Sequence, residues 1–381
     1  MCKLTINVRH PPRRVPSVLN ESYMKKSLLL LFTSVLFATC GDNRSSDDHR
    51  ISIQWEAPAL SYDNMQVVPL ASESTALIGK RPCYITHITD YFIVADADKV
   101  ILFDRQGNVS TVIAARGRGP QEAFDLRFTT VTDTTVLISD IARKRMLEFG
   151  SDGAFRRAWP TERPFHNFTW FADALLLDNQ TGMHHDVCVL PVCNAEGEII
   201  RTPAIPIVGK QLNWPSAFFH APQGCYYLPA LQNDLYLIDR NHDVQIAYTF
   251  DFGKHAVDPE ACERYAEMEN RFVAFDEYLR SNDKIAFVTF ARTDEWLQLG
   301  FSIGKKRRYN WFYNLADKTQ YLVPITPDGT SPWNHPVIGA RGDRFIVKVE
   351  AADYRRWPDC AVEGLADDSN PVLLLCTPQK D

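Results

Sequence analysis

The run "KVILFDRQGN", residues 99–108, decides the fold. Four apolar residues with strand-forming side chains stop at Asp104, whose carboxylate can bond its own backbone, and Gly107 then supplies the left-handed position of a tight hairpin. On one side lies "YFIVAD", residues 91–96, and on the other "VSTVIAA", residues 109–115, so three short strands follow one another with turns between them. The unit returns as "TVLISD", "KRMLEFGSDG" and "AFRRAWP" across residues 135–160. It returns again as "GCYYLPA", "DLYLIDRNHD" and "VQIAYTF" across residues 224–250. Equivalent positions such as Asp96 and Asp140, or Gly107 and Gly153, recur at about 45 residues, the repeat length of a four-stranded β-propeller blade. Asp104-Arg105 and Asp239-Arg240 lie three such steps apart.

Continuing the count places blades from near Cys83, Leu126, Phe165, Ala217, Ile285 and Asn334. The expected fold is therefore all-β, a single six-bladed β-propeller of four-stranded antiparallel blades over residues 51–381. The last blade lacks a fourth strand before the C-terminus. An N-terminal strand, from residues 65–71 or 51–57, is expected to complete it and so remove an open sheet edge. One segment breaks the strand pattern. Residues 258–281 open with Asp-Pro, a cap and first-turn pair, and place Tyr265, Met268, Phe272, Phe275 and Leu279 at helical spacing. A helical insertion between blades four and five follows.

The N-terminus carries an address. From Met24 the chain reads "MKKSLLLLFTSVLFATCGD", a basic start, an apolar run and then Cys40. That order is a secretory signal, too short to span a bilayer. Residues 24–39 read as a lipoprotein signal peptide, Cys40 as the lipid attachment site and residues 40–50 as a polar tether. Residues 1–23 precede a complete signal and read as a mis-assigned N-terminal extension. Removing residues 1–39 takes away more Lys and Arg than acid, so the exported domain is more acidic than the full chain at −6. Electrostatic capture of nucleic acid is excluded on that balance. The expected location is the cell envelope, lipid-anchored at the outer membrane and facing the periplasm or the surface. Pairing among Cys83, Cys188, Cys193, Cys225, Cys262, Cys360 and Cys376 stays open, with Cys188 and Cys193 close enough in sequence to bridge.

These features together resemble the six-bladed β-propeller lipoproteins of Bacteroidetes, relatives of NHL-repeat proteins. The resemblance is carried by the Gly117-Arg118-Gly119-Pro120 turn with Glu122 and Phe124, and by "VILFDRQG" in the first blade. "DFGKHAVDP" at 251–259 and "NPVLLL" at 370–375 add to it. Gln121 stands where the family has a third glycine, and Ala123 delays the aromatic. The resemblance implies the propeller fold over nearly all of the exported chain and no single activity. Gly117, Gly119, Pro120 and Phe124 read as the structural crossing from blade one to blade two, with Phe124 anchoring it.

Local motifs argue against chemistry. "GFSIG", residues 300–304, matches a nucleophile elbow, but Ser302 sits between two strand patterns rather than on a strand-to-helix turn. "MHHDVCVLPVC", residues 183–193, holds His184, His185, Asp186, Cys188 and Cys193 without the spacing of a zinc site. "GKKRRYN", residues 304–310, reads as a solvated hairpin. By contrast, inner strands of different blades place His87, Arg127, His166, Trp170, His220, Arg292 and His335 near one channel. They are candidate contacts for a polar ligand. The expectation is a non-catalytic module that binds an envelope protein, a glycan or a small polar ligand, attached to the membrane through Cys40. No cofactor, metal or nucleic acid is expected. The alternative is a lactonase-like hydrolase using a Ca-type ion in the channel, for which oxygen ligands would be required.

Overall fold

The structure, a computed structural model, describes residues 49–380 apart from 80–83, 88–90, 97, 114–115, 125, 127–128, 133, 162–166, 179–186, 195–196, 207–216, 230 and 306. Every described residue belongs to one compact unit, Ser46–Asp381. The signal segment 24–39, Cys40 and the extension 1–23 lie outside the described residues. Six antiparallel sheets form the blades of a propeller. Their inner strands are Tyr84–His87, Thr129–Val131, Phe168–Phe171, Ala217–Ala221, Ile285–Arg292 and Val337–Arg341.

The blades are held together face to face. Strands buried on both sides read as continuous apolar runs, because each blade packs against two neighbours. Val372–Gln379 shows the principle: Leu373 and Leu375 pack towards blade one with Phe92 and Phe103. Val372, Leu374 and Cys376 pack towards blade five with Phe312 and Trp333. Six such apolar clusters, one per blade interface, make up the core of the ring.

Closure uses the N-terminal chain twice. Ser61–Pro69 is the outer strand of blade six and pairs antiparallel with Val372–Gln379. The closing strand therefore falls on the later of the two expected segments, beginning earlier than residue 65. The other, as Arg50–Ser52, adds a fifth strand to blade four, parallel to Val244–Asp251. Ile51 and Ile53 are buried there against Phe250 and Phe252.

The helical insertion is two helices rather than one. Helix α1 spans Pro259–Ala266, with the Asp258 side chain accepting from the Glu260 N–H. Helix α2 spans Arg271–Ser281. Tyr265, Phe275 and Leu279 of the expected stripe pack together, while Met268 and Phe272, at the break, stay exposed. The basic hairpin at 304–310 faces this insertion: Arg307 bonds Asp283 at 2.7 Å and Lys305 lies 3.8 Å from Glu277.

The crossing "RGRGPQEAF" is clamped by two arginines of blade two. Arg143 donates to the carbonyls of Gly119 and Glu122 at 3.1 and 2.8 Å. Arg145 donates to those of Pro120 and Glu122 at 2.8 and 2.7 Å. Asp140, fully buried, aligns both guanidinium groups. The Glu122 carboxylate turns back to accept the Gly119 N–H at 2.5 Å. Phe124 does not anchor this crossing between blades. It is 43% exposed beneath the Arg143 guanidinium, and the anchors are Ala123 and Leu126, both fully buried.

Candidate functional site

The blades surround a channel of about 1720 Å³, bordered by the inner strands of blades two to six and by side chains further out, including Arg105 of blade one. Its walls owe their character to strand alternation: one side chain in two leaves the sheet plane into a neighbour, and inner-strand ends turn towards the axis. Thr130, Thr169 and His220 come from three successive blades and form a hydrogen-bonded chain. Thr130 Oγ1 meets Thr169 Oγ1 at 3.2 Å, and Thr169 Oγ1 meets His220 Nε2 at 2.7 Å. The Trp170 N–H donates to Thr130 Oγ1 at 3.3 Å. Phe171 stands edge-on to the His220 ring, and Phe219 meets Phe290 of blade five edge-on.

His220 reaches channel solvent, yet the protein packed around its ring strips hydration from the charged form. Desolvation lowers its pKa below the ordinary 6.5, so the imidazole is neutral at pH 7. A neutral ring whose Nε2 is engaged by a hydroxyl offers its other nitrogen to a ligand as donor or acceptor, according to tautomer. Together these groups present hydroxyls, a neutral imidazole and aromatic rings: a surface for a polar, uncharged molecule with apolar faces.

The seven residues expected at the channel meet different fates. The structure brings Trp170 and His220 together on its wall. Arg292 instead reaches blade four, donating to the hydroxyls of Tyr226 and, at 3.2 Å, Tyr248. Burial raises the pKa of both phenols. His335 is buried in the approach to blade six, with Nε2 3.0 Å from the Gly329 carbonyl and its ring against Trp357. Desolvation lowers its pKa as well. Arg127 and His166 lie outside the described residues, as does the His87 side chain. Thr130, Thr169 and Thr289, which border the channel, escape a reading by residue type because threonine is an ordinary strand residue.

The remaining motifs are placed as follows. Ser302 lies within the strand Trp296–Ile303 and donates to the Ala286 carbonyl at 2.7 Å. Residues 183–186 and the Cys188 side chain are outside the described set. Cys193 is a free, buried thiol, so no bridge joins it to Cys188. Cys225, Cys262, Cys360 and Cys376 are also free, and burial pushes Cys193 and Cys262 up to about 11 and Cys376 up to about 12. Among the described residues, no three His, Cys, Asp or Glu side chains converge as a metal site. No described helix is long and apolar enough to cross a membrane.

Comparison with known proteins bears on this ring. The sequence matches the domain of unknown function DUF4934 over residues 59–377. The chain belongs to that family. No curated protein matches it. In fold it is similar to a protein of Bacteroides fragilis described as exported, at 16% identity and a TM-score of 0.70, covering 87% of this chain and 99% of that one. It is also similar to a DUF4221-family protein of Bacteroides vulgatus, at 9% identity and a TM-score of 0.53, covering 85% and 99%.

Proposed function

We propose that this DUF4934 protein is an exported lipoprotein of the cell envelope, tethered through Cys40, whose propeller channel binds a neutral polar ligand without chemical turnover. The observation that carries the binding role is the Thr130–Thr169–His220 chain beside Trp170. It joins three blades at one wall and presents uncharged donors and acceptors next to aromatic rings. A neutral oligosaccharide suits such a wall, since hydroxyls satisfy the polar groups and sugar C–H faces cover the rings. The basic start, apolar run and Cys40 support the anchor, and the exported description of the similar Bacteroides fragilis protein supports the envelope location.

Immobilised protein lacking residues 1–39 is expected to retain neutral glycans from an array, and His220→Ala to weaken retention about tenfold. Equal retention by the variant would overturn the channel site. Metabolic labelling with a palmitate analogue should tag the wild type and not Cys40→Ser. Equal labelling would remove the anchor at that residue.

A further inference from the structure

The two Asp-Arg turns of the sequence repeat meet again at the channel. Arg105 and Arg240 both border it, and both are exposed. Each takes the second position of the same tight turn, between the third and fourth strands of its blade. In blade one the Asp104 carboxylate accepts the N–H groups of Gln106 and Asn108 at 2.8 and 2.9 Å. In blade four Asp239 accepts those of Asn241 and Asp243 at 2.8 and 2.9 Å. Gly107 and His242 supply the left-handed position, with φ of 86° and 62°. Each aspartate fixes its own turn, and the arginine beside it is left for another role.

Topology puts these turns on one face of the ring. In a blade of antiparallel strands the turns after the first and third strands lie at the same end, and the turn after the second lies at the other. Arg341 ends the first strand of blade six and therefore shares that face. It borders the same channel, with its guanidinium 4.6 Å from the ring centroid of Phe92 in blade one. Asp173, on the corresponding turn of blade three, is the one acid of this face among the described residues that border the channel. Glu148, the other bordering acid, is paired with Arg157 at 2.7 Å.

This mouth thus sets three arginines against one aspartate, in a chain whose acids outnumber its Lys and Arg by 47 to 41. A cleft of one sign focuses its field and concentrates ligands of the other. The planar guanidinium fork matches a carboxylate. Blades one and four stand opposite each other in a ring of six, so Arg105 and Arg240 lie across the opening. That placement suits a chain with acidic groups spaced along it better than one small anion.

We propose that the neutral segment held in the channel belongs to an acidic polysaccharide, whose carboxylates meet Arg105, Arg240 and Arg341 at this mouth, a step that rests on the channel-binding reading above. The hydroxyl and aromatic wall takes the uncharged sugar rings, and the arginines take the acidic groups where the chain leaves the channel.

The probes are a galacturonate hexamer and its fully methyl-esterified form, which share length and sugar and differ in charge. Titration of the exported chain is expected to show the acid bound about tenfold tighter than the ester at low salt. The difference should vanish at about 0.5 M sodium chloride. The double variant Arg105→Ala, Arg240→Ala should bind the acid no tighter than the ester. If it fails to fold, Arg240→Gln alone is read in the same way. Lys305→Ala, in the basic hairpin after the second strand of blade five and so on the opposite face, should leave the preference intact. An acid bound no tighter than the ester, or an equal loss in Lys305→Ala, would overturn the mouth, and the channel reading would stand so long as neutral glycans are retained from the array. Binding of neither probe and retention of no neutral glycan would overturn both.

Discussion

Asn370 closes the seam of the ring with one side chain. It is 2% exposed, donates to the carbonyls of Ala71 and Ala76 at 2.7 and 2.9 Å, and accepts the Ile78 N–H at 2.8 Å. Its removal strands three backbone groups in a buried place, so Asn370→Ala is expected to lower stability by about 2–4 kcal/mol in urea unfolding. A loss below half a kcal/mol would show that water replaces it. Gly117 is similarly constrained: a Cβ there would fall 2.1 Å from Glu122 Oε2, the oxygen that holds the Gly119 N–H. At Gly119 the same flexible carboxylate lies 3.0 Å away. Gly117→Val should therefore destabilise by about 1–3 kcal/mol and by more than Gly119→Val; equal melting of the two would refute the ordering. The histidines set a pH dependence. His220 and His335 protonate below 6.5 when folded and near 6.5 when unfolded, so the unfolded chain binds more protons in between. Stability then falls as pH drops below about 6.5. Melting is expected to weaken from pH 7.5 to 5.5, and less so in His335→Gln. A wild type with a flat profile would contradict this.

At the scale of elements, the hairpin repeat made the blades legible because Asp, Gly and an alternating or continuous apolar run are local signals. Elements whose partners are distant in sequence were less so. Nothing within "RIS" says that Arg50–Ser52 joins the outer edge of blade four, about 200 residues away, in parallel. The helical insertion was legible as helix, but its break was not. Helical spacing carries through residues 267–270, while the chain turns there and only Tyr265, Phe275 and Leu279 find a packing surface. The candidate site suffered the same limit. Inner-strand membership could be read, but which side of a strand faces the axis depends on bulges such as the one between Ala286 and Thr289. Thus Arg292 meets Tyr226 of the neighbouring blade, while unremarkable threonines form the wall. The fifth strand of blade four is open to test. Ile51 is 6% exposed, and placing a carboxylate there should cost about 3 kcal/mol. Ile51→Asp melting like wild type would mean the strand contributes nothing.

The unit Ser46–Asp381 is a closed ring in which an early strand and the last strand are partners. Ser61–Pro69 and Val372–Gln379 lie side by side in blade six, so no blade can complete that contact until both chain ends have arrived. Most blade interfaces join segments adjacent in sequence. The interfaces of blade six are different, since Val372–Gln379 feeds Leu373 and Leu375 to one neighbour and Val372, Leu374 and Cys376 to the other. Removing that strand empties two of the six interfaces at once and exposes the edge of Ser61–Pro69 as well. An open ring also leaves the channel wall incomplete, because side chains of all six blades border it together. Truncation after Pro371 is therefore expected to abolish the cooperative thermal transition of the entire domain, followed by far-UV circular dichroism. In the intact protein, tryptophans in blades two and three (Trp159, Trp170) and in blade five (Trp296, Trp311) should report one shared midpoint. If the truncated chain still melted cooperatively within a few degrees of wild type, the blades would be independent units and closure would be ornamental to the fold.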